Sequence, residues 1–287
     1  MTSSGAYFGF VQWELPGRLG PDPGRYIVRR YAGDEAQQVV VIGGLSAPRR
    51  TRLGGRRARA AEPGAAPVEV TRATVVTAGA LDGDATAEAW LAAASGGQAA
   101  ATVADGLAVL NRALHARRVA AADPYAGEVA ARHALVTRVG YGTGDEVAEG
   151  HWTAARELPP ASAQIVREAA LRPQERFAAL LAARDATLAC ELLALRARLD
   201  LDHGRDREAA LQLEAALGAA RSELEGWREL DGMVARLDEL GASSAAVRAA
   251  ADAARVGVLD ESGREVVARV LGRLEAALRA RTAGARF

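Results

Sequence analysis

The chain has 287 residues, nearly half apolar and a quarter charged, with 36 acidic residues against 36 basic ones, so one large core or two ordinary ones are expected. Every basic residue is an arginine and no lysine occurs, which excludes Schiff-base and pyridoxal chemistry and the ATP-binding lysines of P-loop and protein-kinase folds. A single cysteine, Cys190, excludes an intramolecular disulfide and any multi-cysteine zinc site.

The opening residues, Met1 to Tyr7, lack the basic-then-apolar pattern of a secretion signal, and no apolar run reaches the length of a membrane span, so a cytoplasmic protein without membrane contact is expected. The first eighty residues read as strands. Tyr7 to Leu15 is aromatic-rich and ends at Pro16, and a Pro/Gly turn leads to Arg25–Tyr31. The run Val39-Val-Val-Ile42 within Gln38–Leu45 suits a strand covered on both faces. Its Ile42-Gly-Gly sequel resembles the start of a dinucleotide fold over about nine residues. Leu45 and Ala47 stand where further glycines are needed and no crossover helix follows, so a buried strand and tight turn is the better reading.

Residues 46–67 read as a long loop, and it holds Arg49, Arg50, Arg52, Arg56, Arg57 and Arg59 within eleven residues. Those guanidinium groups could meet the phosphates of RNA or DNA, or an acidic partner; the competing reading is a solvated loop. The arginine excess of residues 1–80, eleven against six acids, comes from this segment. A fourth strand is expected over Val68–Thr77.

Helices follow. Asp84 is placed to cap a short helix ending near Gly96-Gly97. Val103, Leu107, Leu110 and Leu114 predict a longer one from Gln98 to Ala122, stopped by Pro124. His133–Val139 is a strand candidate. Thr143-Gly-Asp-Glu146 matches a capping box. Gly140-Tyr-Gly-Thr-Gly144 has a phosphate-cradle layout, but Asp145 and Glu146 in the following turn would repel an anion.

Pro159-Pro160 marks the expected boundary between a mixed α/β domain, 1–158, and a helical bundle domain, 159–287. In the second half, Phe177, Leu180, Leu181, Leu188, Leu192, Leu195 and Leu199 are expected on one face of a long helix from Pro173. The turn Asp202–Asp206 leads into a helix carrying Ala210, Leu213, Leu217 and Leu224, an αα-hairpin resembling one tetratricopeptide unit without a second copy. Leu230–Leu237 and Val247–Val256 predict two further helices. Ser262-Gly-Arg-Glu265 is a second capping box, before Val267, Leu271, Leu274 and Leu278. The fold class is therefore α+β: a mixed sheet/helix domain followed by an antiparallel bundle of about five helices.

No catalytic constellation stands out. Cys190 lies in an apolar run and reads as structural. His115, His133, His151 and His203 form no metal-spaced pair, and Asp200–Asp206 lacks the glycine and glutamate of a calcium loop. No cofactor or metal is expected. The leading expectation is a non-enzymatic interaction or scaffold protein acting through helical faces, with a protein partner or self-association, including through the terminal-helix stripe. The alternatives are an RNA- or anion-binding accessory protein using the Arg49–Arg59 loop, and an enzyme whose site lies in the α/β half, for which His133, Tyr141, Asp145 and His151 are the residues to test.

Overall fold

A computed structural model describes residues 6–29, 33–45, 69–144, 146–160 and 172–285. The chain divides into two compact units, Met1–Ser162 and Ala163–Phe287, with an antiparallel sheet in the first and helices in the second.

Six strands form one sheet: β1 (Tyr7–Pro16), β2 (Gly24–Val28), β3 (Gln38–Leu45), β4 (Val70–Leu81), β5 (Val136–Thr143) and β6 (Ala154–Glu157), in the order β2-β3-β4-β1-β5-β6. Every pairing is antiparallel. That removes the parallel crossover a dinucleotide fold needs, and Gly43 and Gly44 lie within β3 itself. The two-residue period of a strand sends Val11, Trp13 and Leu15 of the central β1 to one face, with Val40 and Ile42, Ala73 and Val75, and Val139. Helices α1 (Gly83–Ser95) and α2 (Ala99–Ala120) cover that face through Leu91, Leu107, Leu110 and Leu114. Gly106 lets α2 sit directly on the sheet, since a Cβ there would meet the Trp13 ring at 2.8 Å.

Several local expectations need correction. In β3 only Val40 and Ile42 are buried; Val39 and Val41 are half-buried on the far face, so the strand is not covered on both sides. Asp82, not Asp84, precedes α1; Asp84 lies in the first turn and accepts a hydrogen bond from the Tyr7 hydroxyl at 2.7 Å. His133 sits in a 3₁₀ turn before β5, its Nδ1 accepting from the Ala130 N–H. The short helix α3 (Glu146–Glu149) follows β5. The strand β6 was not expected from its four residues.

The second unit holds five helices among its described residues: α4 (Pro173–Leu181), α5 (Ala189–Asp202), α6 (Asp206–Glu223), α7 (Met233–Val256) and α8 (Glu261–Gly284). Its core is rich in alanine, with Ala194, Ala197, Ala209, Ala210, Ala216 and Ala220 bringing α5 and α6 together around Leu213. The expected long helix from Pro173 is two helices, broken where Ala183 takes a left-handed backbone (φ 54°) and Asp185 binds the Ala186 N–H. The two helices expected over 230–256 are one. Between the two expected stretches, Ser243 and Ser244 donate to the carbonyls of Glu239 and Leu240 inside the helix. Asp260, not Ser262, caps α8 by accepting from the Gly263 N–H at 2.7 Å.

Candidate functional site: the outer face of α4 and α5

Helix α5 carries two apolar faces of different size. Cys190, Ala194 and Ala197 are small, and they form the buried face against α6. Leu192, Leu195 and Leu199, spaced by three and four residues, lie on the outward face with exposures of 49%, 67% and 41%. On α4, Phe177 and Leu181, one turn apart, are exposed at 58% and 75%. Leu180, Leu192 and Leu195 share a cavity of about 480 Å³ with Leu278 and Thr282 of α8. Single exposed leucines need no explanation, but here five large apolar side chains are exposed on two neighbouring helices.

The frame beneath this face is rigidly charged. Arg281 of α8 is 3% exposed and bonds Asp185 at 2.8 Å and Glu191 at 3.3 Å. Arg176 of α4 closes the set, with Nε on Asp185 at 3.0 Å and Nη2 on both Glu191 oxygens at 2.6 and 2.8 Å. Trp227 stacks against the Arg281 guanidinium at 5.1 Å. Burial opposes ionisation of Asp185, but hydrogen bonds from Arg176, the Ala186 N–H and Arg281 outweigh it and hold its carboxyl below the ordinary aspartate range. Arg172 donates to the Ala285 carbonyl at 2.8 Å, fastening α4 to the end of α8. Glu223 of α6 accepts from the N–H groups of Ala189 and Cys190 at 3.0 and 2.9 Å, satisfying the start of α5 from a neighbouring helix.

The other sequence candidates are placed as follows. Arg49, Arg50, Arg52, Arg56, Arg57 and Arg59 lie outside the described residues. Cys190 is fully buried; burial, then Glu223, pushes its thiol up to about 12, so it is no nucleophile. Asp200 and Arg205 form an ion pair, Asp202 pairs with Arg198 and Asp206 with Arg264, which leaves the calcium-like stretch occupied by arginines. The glycine motif is a packing device: a Cβ at Gly140 would strike the Ala154 carbonyl at 2.5 Å and the Phe10 ring at 2.6 Å. Tyr141 is buried edge-on to Tyr7 at 5.2 Å, while His133 precedes the opposite end of β5, about 16 Å of strand away. His151 is exposed, and the structure does not bring His133 to Tyr141; Asp145 lies outside the described residues. Of the terminal stripe, Val267, Leu271 and Leu274 are fully buried core, while Leu278 is part-buried and lines the cavity beside Leu180, Leu192 and Leu195. Among the described residues no group of three or more His, Cys, Asp or Glu could hold a metal ion, and no helix is long and apolar enough to cross a membrane.

No family model, curated protein or solved structure matches the chain.

Proposed function

We propose that this chain is a non-enzymatic protein-interaction or scaffold protein, and that the outer face of α4 and α5 is where its helical unit takes a partner protein. The observation that carries the reading is the row Leu192, Leu195 and Leu199, left outward because the alanine face of the same helix already fills the core. A partner's amphipathic helix laid along the groove would cover these leucines with residues at i, i+3 and i+7. Such burial supplies the association energy, about 25 cal/mol for each Å² of apolar area removed from water. The arginine–carboxylate set beneath fixes the helices that carry the leucines, so little ordering cost attends binding.

The test is capture from the native host at low and high salt, with wild type beside Leu192→Arg/Leu195→Arg. Both positions are exposed, so the variant keeps its core. A stoichiometric protein partner that survives high salt on wild type and is lost on the variant is the expected result. Wild type recovered alone, or a partner held equally by both chains, overturns the proposal.

A further inference from the structure

The first unit contains a different kind of groove, between β2, β3 and the end of α2. Toward the sheet, α2 packs Leu107, Leu110 and Leu114. Its last turns instead present Ala113, Ala116 and Ala120 on one side, and these small residues leave open a slot of about 470 Å³ against Val28 and Ile42. Three arginines and one carboxylate stand around this apolar trough: Arg29, Arg112, Arg117 and Asp22. The Arg112 guanidinium donates to the Arg29 carbonyl at 2.7 Å and the Arg29 Nε to the Asp34 carbonyl at 2.9 Å. These contacts tie the rim together. Arg29 and Arg117 form no ion pair among the described residues.

Arg117 also lies in the last turn of α2, where a cation complements the helix dipole. That accounts for one arginine, but not for Arg29, which approaches from the sheet side. An apolar slot of this volume with the guanidinium groups of Arg29 and Arg117 at its mouth suits an unbranched apolar chain ending in an anionic head. We infer that the β2–α2 groove of this chain binds a medium-chain fatty carboxylate, the alkyl chain over Val28, Ile42, Ala113 and Ala116 and the carboxylate between Arg29 and Arg117.

The experiment is calorimetric titration of the full-length chain with decanoate and, separately, with decan-1-ol, the same chain without the charge. One decanoate per chain is expected, with the alcohol weaker by about tenfold, the sum of two exposed ion pairs. Arg29→Gln/Arg117→Gln should bring decanoate down to the level of the alcohol. Ala116→Trp, which fills the slot at an exposed position, should abolish binding without moving the thermal midpoint. Leu195→Arg, on the α5 face, should change nothing, which separates this site from the proposed protein interface. Equal affinity for acid and alcohol, full decanoate affinity in the double arginine variant, loss of binding on Leu195→Arg, or no binding at all would each overturn the inference.

Discussion

At Gly106 two effects of opposite sign meet on one methyl group. In an exposed helix Gly→Ala is stabilising by about 1 kcal/mol, because alanine has less backbone entropy to lose. Here the new Cβ would stand 2.8 Å from the Trp13 ring and 3.3 Å from Val11, and Trp13 is fully buried. A buried indole between a sheet and a helix has nowhere to go, so overpacking at about 1–3 kcal/mol wins. Gly106→Ala is therefore expected to destabilise the first unit, read as a lower urea midpoint with an unchanged slope. Cys190 gives a second test at this scale. With its thiol raised to about 12 and no exposed surface, it should resist an aromatic disulfide reagent at pH 8 in the folded chain and react at once in denaturant. Rapid labelling without denaturant would show that α5 is not seated as described.

Among the elements, the link between α4 and α5 decides how the candidate face is held. Removing one member of the Arg176–Asp185–Glu191–Arg281 set leaves charge behind in a site where Arg281 is 3% and the carboxylate side chains about a tenth exposed. Arg281→Ala should then cost about 3–5 kcal/mol, the usual penalty for stranding a buried charge. Asp185 adds a pH signature. Its folded value is depressed, so its stabilisation is complete above the ordinary aspartate range and lost as pH falls through the folded value. Glu223 shifts in the same direction: burial opposes it, and the N–H groups of Cys190 and Ala189 outweigh burial. The second unit should weaken on acidification from pH 7 to about 3, and Asp185→Asn should lose part of that slope while being less stable at pH 7. A slope identical to wild type would remove Asp185 from the account.

Element type was legible in the sequence where side-chain period and burial agree, as in α2 and α6. It was misread where they part. The leucines of 177–199 keep a heptad-like spacing across a break made by backbone groups at Ala183 and Ala186, which hydrophobic spacing does not register. Periodicity also groups residues on a face without saying which face is inside. In α5 the larger leucines suggested the core, yet Cys190, Ala194 and Ala197 are small enough for close contact with α6 and took that place. The candidate site is thus the part of the pattern that the packing left over, visible in the sequence as a stripe and given its outward direction only by the alanines opposite.

At the scale of the whole molecule, most buried apolar side chains among the described residues fall into two clusters, one drawn from Val11 to Tyr141 and the other from Cys190 to Ala277. No residue is common to both, and each cluster includes fully buried large side chains, Trp13 and Leu110 in one and Leu213, Leu271 and Leu274 in the other. A core that is complete within one stretch of chain gains its burial energy without the rest of the sequence. The fragment Ala163–Phe287 should accordingly fold alone. It has a built-in reporter, because Trp227 is the single tryptophan of that stretch and its ring faces Arg281 at 5.1 Å. The fragment should show a cooperative thermal transition by helical circular dichroism, coincident with the change in Trp227 fluorescence. Arg281→Ala should lower that midpoint equally in the fragment and in the full chain, while Gly106→Ala in the full chain leaves it where it was. A fragment that melts without cooperativity, or a Gly106→Ala chain in which the helical transition moves as well, would mean that the two cores are stabilised as one.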